Sequence, residues 1–316
     1  MANNGHGGRS QNADWMSRLP ESLLNISLTG LAIPGTHNSG SYFLNTKKPL
    51  SPDFDYSVVQ FLAKVPLVRN IIKKVIQRWS VCQLMNFSSQ LEYGIRYFDI
   101  RLATMADSED FYIVHGLYGP TVMDLIDSVK MFLLANPREI VLLDFNHFYK
   151  FTERHHDQLV ELLVSSFASL LCPRGEISHI TLRNMWQHKY QVIIFYNKEV
   201  KNQKIFTSNS IISPWPNTTS KTEAIKFLNK SFSVGYIEKV VVCQGILTPQ
   251  TLTIVKCPWG SLKNWISSWS AVFQEWVENS SQVCLMPLNV VMADFCESNQ
   301  VVEKVIELNY KRSNKL

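Results

Sequence analysis

The alternation of short Val, Ile and Leu runs with amphipathic stretches is the feature that most constrains the fold of this chain. Uninterrupted apolar runs are typical of parallel strands covered on both faces. Strands are predicted at residues 28–33, 95–102, 111–114, 140–145, 191–196, 239–244 and 290–294. Helices are predicted between them, at residues 121–135, 155–171, 221–231, 261–278 and 300–309. This alternation predicts a β/α barrel with an eighth strand that the pattern does not reveal, and a doubly wound open sheet is the alternative.

The length and composition favour one domain. The chain has 316 residues, of which 46% are hydrophobic, enough for one large domain or two small ones. Because no Gly/Ser linker, low-complexity segment or internal repeat divides it, we predict a single domain over residues 14–316. Residues 1–13 are polar and rich in Gly and Asn, and are predicted to be a disordered tail.

The predicted cellular location rests on two features that are absent from the sequence. The opening stretch has no apolar signal core, and no apolar run is long enough to span a bilayer, which predicts a cytoplasmic protein. The cysteines have no metal-ligand spacing, so in such a protein they are expected to be free, buried thiols. The six cysteines are Cys82, Cys172, Cys243, Cys257, Cys284 and Cys296.

Three predicted strands end in groups that can handle protons and phosphate. Residues 33–40 read Ile-Pro-Gly-Thr-His-Asn-Ser-Gly, which places His37 on a turn after an apolar run. Residues 111–116, Phe-Tyr-Ile-Val-His-Gly, place His115 in the same way, and residues 94–101, Gly-Ile-Arg-Tyr-Phe-Asp-Ile-Arg, end in Arg101. One histidine can remove a proton, another can donate one, and arginine can hold a charged phosphorus centre. Together they indicate cleavage of a phosphate ester.

These three motifs, in this order, resemble the X region of phosphatidylinositol-specific phospholipase C. The resemblance is closest to the small single-domain enzymes, including the eukaryotic X-domain-containing proteins, and extends over about residues 14–295. It implies a distorted, incompletely closed TIM-type barrel, whose active groups lie at the carboxyl ends of the strands. Four candidate residues fall at or near predicted strand ends, in agreement with that architecture: His37, Arg101, His115 and Asp294.

The resemblance also implies the catalytic roles. His37 matches the general base that removes the proton of the inositol 2-hydroxyl, whose oxygen then attacks phosphorus. His115 matches the acid that protonates the departing diacylglycerol oxygen, and water then opens the cyclic inositol phosphate. Asp294 matches a late carboxylate that orients the base histidine. The alternative for Asp294 is a helix N-cap.

Two positions bear on whether calcium is needed. At the position of Arg101 the large signalling enzymes have an acidic calcium ligand, whereas the bacterial enzymes have arginine in place of the metal. Asp99 matches another calcium-ligand position, but it is also expected to point to the same face as Arg101 and to orient it by a charged hydrogen bond. Asn38 matches a ligand of the calcium enzymes, where the bacterial enzymes carry aspartate.

We favour no metal and no other cofactor, with calcium as the alternative. A calcium site needs several hard oxygen ligands, and a cationic Arg101 among them would repel the ion. The absence of a carboxylate at Asn38 predicts a weak acid step and low activity.

Asn38 and three further candidates are assigned to substrate binding. Asp144, near His147, ends another predicted strand, and Tyr196 and Trp215 are predicted to stack on a sugar ring. The pair His155–His156 is interpreted as a solvated surface feature.

Residues 61–80 carry five basic side chains and no acidic one, interleaved with apolar residues at helical spacing. Such a helix suits peripheral contact with an anionic membrane surface, and the alternative is that its apolar face packs on the barrel. Nucleic acid is not expected as a partner, because no recognition motif accompanies the charge. The stripe formed by Trp265, Trp269 and Trp276 is predicted to pack in the core.

The sequence therefore predicts a phosphoric diester hydrolase that cleaves phosphatidylinositol-type lipids, in lipid metabolism or signalling. One alternative is a catalytically weak lipid-binding or scaffold protein on the same fold. Another is a metal-dependent glycerophosphodiesterase, whose usual first motif, His-Arg-Gly, is absent from this chain.

Overall fold

Eight parallel strands form the centre of the molecule. The computed structural model describes residues 12–54, 66–235 and 238–314. The strands of these ranges are β1 (Ile33–Thr36), β2 (Tyr97–Met105), β3 (Ser108–His115), β4 (Leu117–Thr121), β5 (Val141–Tyr149), β6 (Val192–Tyr196), β7 (Phe206–Thr207), β8 (Ile211–Ile212), β9 (Val240–Gly245) and β10 (Val290–Ala293). The order across the sheet is β7-β6-β5-β2-β1-β10-β9-β8, and every pairing along it is parallel. No pairing joins β7 to β8 in the described ranges, so the barrel is nearly closed.

Helices lie between the strands along the chain. They are α1 (Pro66–Ser80), α2 (Phe87–Tyr93), α3 (Val122–Ala135), α4 (Glu153–Phe167), α5 (Leu182–Gln187), α6 (Lys221–Ser231), α7 (Thr251–Lys256), α8 (Leu262–Trp265), α9 (Ser267–Glu278), α10 (Ser280–Val283) and α11 (Val301–Ser313). Thr121 and Thr152 begin α3 and α4 with complete capping boxes. Every residue of β6 and β9 is buried, because helices cover the outside of the sheet and side chains fill the inside. The predicted single-domain barrel is confirmed.

The strand predicted at residues 28–33 is wrong for most of its length. Leu28–Gly30 forms a turn of 3₁₀-helix, and β1 begins only at Ile33. The side-chain amide of Asn289 donates hydrogen bonds to the carbonyl oxygens of Leu28 (3.0 Å) and Leu31 (2.7 Å). These two backbone acceptors therefore have partners without a neighbouring strand. A distant side chain thus overrides the local β propensity. As a result, His37 directly follows a strand of four residues.

The strand predicted at residues 111–114 exists but lies outside the barrel. It is part of β3, which pairs antiparallel with β2 in a hairpin. Strand β2 extends beyond the barrel, and β3 returns and ends at His115. The missing barrel strands are β7 and β8, whose two residues each are too few to produce an apolar run.

A buried ion pair fixes the opposite end of the barrel, where β2 and β5 begin. The guanidinium of Arg96 donates to Glu139 Oε2 at 2.9 and 2.7 Å, and both side chains are essentially unexposed. Arg96 also donates to the carbonyl of Ala13, which is buried. Ala13 therefore belongs to the fold rather than to the predicted tail, and residues 1–11 lie outside the described residues.

The basic segment at residues 61–80 forms α1 from Pro66 onward, and residues 61–65 lie outside the described residues. Ile76 and Trp79 are buried, and the Trp79 ring lies 6.3 Å from that of Trp265. Lys73 is also buried and donates to the carbonyl oxygens of Thr46 and Lys48. The apolar face therefore packs on the barrel, which was the alternative. The basic side chains of α1 that remain exposed are Arg69, Lys74 and Arg78.

The other structural expectations are largely confirmed. Trp269 and Trp276 pack in the core as predicted. All six cysteines are free thiols, but Cys257 is exposed and Cys284 is half-buried. Within the described ranges, no helix combines the length and the apolar character needed to cross a membrane.

Candidate active site

The neighbouring ends of β1 and β10 bring His37 and Asp294 together. The strands pair in register from Ile33 with Val290 to Thr36 with Ala293, so the next residue of each lies at the same edge. His37 Nδ1 is 2.7 Å from Asp294 Oδ1, and both side chains are nearly buried. A carboxylate accepts only, so this contact assigns the proton to Nδ1 and leaves Nε2 as the acceptor. The predicted pairing of His37 with Asp294 is present.

Two donors face His37 Nε2. The Nη2 atom of Arg101 lies 3.4 Å away, and the amide nitrogen of Asn38 lies 3.0 Å away. Asn38 has a positive φ of 43°, in the left-handed region, which turns its side chain back toward the preceding histidine. The Nε2 atom is therefore held between a guanidinium and a neutral amide.

Asp99 lies beneath these groups. Its Oδ2 accepts the backbone N–H of Asn38 at 2.8 Å, and its Oδ1 accepts the amide of Asn146 at 2.6 Å. Burial acts to raise the pKa of Asp99, but the charges of Arg101 and His37 and these two hydrogen bonds outweigh it and lower that pKa. Asp99 therefore carries a negative charge in the buried base of the site.

The charged hydrogen bond predicted from Asp99 to Arg101 is not formed. The distance from Arg101 Nη2 to Asp99 Oδ2 is 3.9 Å, which is an ion-pair distance. The register of β2 against β5 shifts between Ile100 and Arg101, which pair with Phe145 and His147, so the residue that is skipped, Asn146, lies in β5. The buried Nε of Arg101 has no hydrogen-bond partner in the described residues, so the guanidinium retains donor capacity.

His115 faces His37 from the returning strand of the hairpin. The two ring centroids are 6.2 Å apart, with the ring planes at 71°. His115 Nδ1 donates to the Ser80 carbonyl at 2.7 Å, which assigns the proton of the neutral ring to Nδ1. Burial, followed by the charge of Arg101, lowers the pKa of His115 to about 4, whereas the charge of Asp53 acts to raise it. Asp53 is held by the backbone N–H of Gly116 (2.8 Å), next to His115.

Cys82 and Gln83, which follow α1, lie at the site, and the sequence analysis did not predict them. The Sγ atom of Cys82 is 3.7 Å from both Asn38 Nδ2 and His115 Nδ1. Gln83 donates to the backbone carbonyls of His37 (2.9 Å) and Ala293 (3.0 Å), which braces the two strand ends. Neither residue lies in a recognisable motif, and only tertiary packing brings this segment to the site.

A cavity of about 300 Å³ opens beside Arg101 and is lined in part by Asp99, Asp144 and Trp215. Burial raises the pKa of Asp144 to about 6, although a hydrogen bond from the Tyr97 hydroxyl (2.6 Å) opposes this rise. Arg101, which lines this cavity, lies 3.4 Å from His37 Nε2 and thus joins the cavity to the histidine.

Asn146 was not predicted. Its amide donates to Asp144 Oδ2 (3.1 Å) as well as to Asp99, and thus links the two carboxylates. The sequence signal that could have assigned Asn146 to the site is its position at the end of the apolar run of β5, close to Asp144 and His147.

The Tyr196 side chain lines the cavity beside Arg101 but is fully buried, with its ring centroid 4.5 Å from that of Phe148. Its stacking on a sugar ring stays a prediction, whereas the interpretation of His155–His156 as a solvated surface feature is wrong. His156 is buried rather than solvated, and its Nδ1 lies 2.7 Å from the Tyr196 hydroxyl. The helical period of α4 turns His156 toward the core. Trp215, in contrast, is half-exposed at the rim, where its Nε1 donates to Thr248 (3.0 Å).

The residues at the expected calcium positions fit calcium poorly. Both carboxylate oxygens of Asp99 already accept hydrogen bonds, and Arg101 lies within ion-pair distance of one of them. Asn38 offers a buried carbonyl oxygen without a partner, but one such oxygen falls short of the six to eight that calcium takes, as a rough guide. These positions thus hold the fixed positive charge of Arg101 where calcium would need anionic ligands.

Comparison with solved structures identifies the class of fold. The barrel matches phosphatidylinositol-specific phospholipase C from Listeria monocytogenes with a TM-score of 0.66 and 19% identity, covering 94% of this chain and 98% of that one. A structure of the Staphylococcus aureus phosphatidylinositol-specific phospholipase C, from work on modulation of its membrane binding, matches with a TM-score of 0.64 and 16% identity. That match covers 95% of this chain and 98% of the bacterial one. At these identities the likeness shows the TIM-barrel-like fold of the bacterial enzymes.

Curated relatives identify the family. PI-PLC X domain-containing protein 2 of Mus musculus is 40% identical over 304 residues, covering 94% of this chain and 88% of the relative. Proteins 3 and 1 of Homo sapiens are 34% and 31% identical, and each comparison covers at least 94% of both chains. No model in a scan of protein families matches. The chain belongs to the PI-PLC X domain-containing protein family.

Proposed function

We propose that this protein is a phosphodiesterase that cleaves phosphatidylinositol-type lipids into diacylglycerol and a cyclic inositol phosphate, without a metal ion. The observation that carries the proposal is the pair of facing histidines, His37 and His115, with ring centroids 6.2 Å apart and Arg101 beside the base nitrogen. A phosphodiester between them has a base on one side, an acid on the other and a fixed cation for its charge.

The first step is an attack within the substrate. The inositol ring occupies the cavity beside Arg101, with its 2-hydroxyl at His37 Nε2. Nε2 takes the hydroxyl proton as the oxygen bonds to phosphorus, and Asp294 stabilises the imidazolium through Nδ1. Because nucleophile and phosphorus belong to one molecule, the attack gains from proximity.

The second requirement is a proton for the leaving oxygen. His115 donates it from Nε2, while the Ser80 carbonyl holds Nδ1. A pKa of about 4 leaves the free His115 mostly neutral near pH 7. The negative substrate phosphate raises this pKa on binding, but the neutral Asn38 adds no charge to help. We therefore propose that the activity is low in comparison with an enzyme that has a carboxylate at this position.

Large exposed apolar side chains in loops near the carboxyl ends of the strands suit contact with a lipid surface. Phe43 follows β1, Leu252 lies in α7 directly after β9, and Trp259 follows α7; each is more than half exposed. Arg78 donates to the Trp259 carbonyl at 2.8 Å and adds positive charge there. Isolated exposed apolar residues are ordinary, but several at one end of a barrel are typical of an interaction surface. A cytoplasmic location with peripheral contact to anionic membranes is part of the same proposal.

The second candidate is a lipid-binding or scaffold protein that uses the same cavity without turnover. The neutral Asn38 and the low pKa of His115 favour it, since both weaken the acid step. Binding of lipid would then not require the proton-accepting nitrogen of His37.

Turnover of phosphatidylinositol vesicles in excess chelator separates the candidates. The variants are His37→Ala and His115→Ala, with His179→Ala as the control, because the His179 side chain is 78% exposed outside the site. We expect turnover by the unmodified protein and by H179A, and loss in both site variants. Vesicle binding without turnover in all four proteins would support the binding protein.

A further inference from the structure

The side chains of His37, Cys82 and Asp294 form a cluster that the proposed mechanism does not fully use. One donor atom from each lies within 4.8 Å of the other two, and the three residues come from separate segments. Cys82 and Asp294 are buried, and His37 is nearly so. We propose that these three residues bind a zinc ion, and that zinc inhibits the protein; the inhibition rests on the proposed function, whereas the binding does not.

The donor chemistry selects zinc among common metal ions. Imidazole nitrogen, thiolate sulfur and carboxylate oxygen are the three protein ligand types of zinc, and a water completes a tetrahedral set. A thiolate is a poor ligand for calcium or magnesium, which take oxygen donors. In a tetrahedral site the ligand atoms lie about 3–4 Å apart, given Zn–S and Zn–N distances of about 2.3 and 2.0 Å. Side-chain rotations that bring the distances between the three donors into this range would therefore complete the coordination.

An independent observation points to a ligand at this place. Asp294 is 3% exposed, and its Oδ2 has no hydrogen-bond partner in the described residues. A buried carboxylate oxygen without a partner is costly, and a cation is one way to satisfy it. The Oδ1 atom of Asn38 is buried and unpartnered in the same way, next to His37 and Cys82.

The charges allow a divalent ion despite Arg101. Zinc with the Asp294 carboxylate and the Cys82 thiolate is neutral overall, so Arg101 faces no net positive charge at the metal. The Cys82 thiol loses its proton to solvent as the Zn–S bond forms, and His37 binds through one ring nitrogen in its neutral form. Binding thus releases one proton, and affinity rises about tenfold per pH unit below the thiol pKa.

Occupation of the site removes the base. A zinc ion on His37 takes either Nε2, the proton acceptor, or Nδ1, the atom that Asp294 holds. In both cases the His37–Asp294 pair cannot accept the 2-hydroxyl proton.

The experiment measures zinc affinity of the full chain by competition with a chromophoric chelator, without substrate. Co²⁺ serves as a second probe, because a thiolate ligand gives it a charge-transfer absorption band. The variants are Cys82→Ser and Asp294→Asn, with Cys257→Ser as the matched control, since Cys257 is an exposed thiol outside the cluster. Thermal melting checks that each variant is folded.

We expect C82S and D294N each to lower zinc affinity by about tenfold or more, C82S to abolish the cobalt band, and C257S to change neither. Equal zinc affinity in all four proteins, loss of binding only in C257S, or no zinc binding by the unmodified protein would overturn the proposal. If zinc binds as expected and no protein turns over phosphatidylinositol, the site stands and the proposed function fails.

Discussion

At the residue scale, the site depends on which nitrogen of each histidine is held. Asp294 holds His37 Nδ1 and the Ser80 carbonyl holds His115 Nδ1, both at 2.7 Å, so both rings leave Nε2 for the substrate. In the proposed mechanism the carboxylate does more than a carbonyl can, because it would also stabilise the imidazolium formed on His37.

Replacing Asp294 with asparagine is therefore expected to lower kcat by about 10³–10⁴-fold, through the wrong tautomer and the lost charge. The measurement is kcat on phosphatidylinositol in chelator, with thermal melting to confirm folding. A decrease of less than about tenfold in a folded D294N would show that Asp294 does not orient the base.

The lowered pKa of His115 predicts the direction in which the free energy of unfolding changes with pH. Its pKa of about 4 lies below the ordinary value of 6.5, so between these values the unfolded chain binds more protons than the folded one. The free energy of unfolding should therefore fall as pH decreases from about 6.5 to about 4. Urea unfolding across this range measures it, and His115→Gln should flatten the part due to this group. An equally steep decrease in H115Q would contradict the assignment.

Asp53 supplies a negative charge near His115 that the sequence analysis did not predict. Since its charge raises the pKa of His115, Asp53→Asn should lower that pKa further. Histidine proton signals in a pH titration measure the shift, and Asp107→Asn, at the far turn of the β2–β3 hairpin, is the control. An unchanged His115 titration in D53N would mean that Asp53 serves only to hold the Gly116 amide.

Prediction from sequence worked best where a residue directly follows a strand. His37 and Asp294 were placed correctly because parallel neighbouring strands end at one edge, whatever the rest of the fold does. Cys82 and Gln83 could not be placed, since the packing of α1 on the barrel carries their segment to the site. For Tyr196 the sequence indicated the position at a strand end but not the burial of its ring, because an apolar strand end does not reveal how far the last side chain is exposed.

At the element scale, the β2–β3 hairpin and the turn after it set the position of His115. Gly116 follows with φ of +70°, which non-glycine residues rarely adopt. A Cβ at Gly116 would lie 2.8 Å from Ser80 Oγ and 2.8 Å from Ile76 Cγ2. The turn is thus fitted against the same residue, Ser80, whose carbonyl holds His115.

Gly116→Ala should therefore destabilise the fold by about 1–2 kcal/mol and reduce turnover by displacing His115 from Ser80. Urea unfolding and kcat measure the two effects. Gly175→Ala is the matched control, because no atom lies within 4 Å of the Cβ that it would add. Equal stability and activity of G116A and G175A would show that this turn does not position the acid.

The element pattern was predictable where strands are long, and not where they are short. Strands β5, β6, β9 and β10 were found from their apolar runs. Strands β7 and β8, with two residues each, carry no periodicity, and β3 reads as a barrel strand although it pairs in a hairpin. Local sequence does not distinguish an antiparallel return from a parallel crossover when both are apolar.

At the scale of the whole molecule, the two ends of the barrel differ: one carries the candidate active site and the other a buried ion pair. The carboxyl ends of the strands carry the histidines, the cavity and the exposed apolar side chains. The opposite end is closed by Arg96 and Glu139, which also accepts the backbone N–H groups of Met16 (3.3 Å) and Ser17 (3.0 Å). The ion pair thus ties the start of the folded chain to β2 and β5.

Glu139→Gln should destabilise the protein by about 3–5 kcal/mol, because it leaves a buried Arg96 without its counter-charge. The measurement is the free energy of unfolding in urea. Under folding conditions, kcat should change little, since the pair lies at the other end of the barrel. A large decrease in kcat with unchanged stability would contradict this division of the molecule.

The central claim is a metal-free, two-histidine cleavage that forms a ring on the substrate phosphate. The most direct test is ³¹P NMR of phosphatidylinositol vesicles incubated with the protein in excess chelator. We predict a five-membered cyclic phosphodiester as the first product, with slow opening to the monoester afterwards. A product that appears only when calcium is supplied, or a monoester that forms without a cyclic precursor, would contradict it.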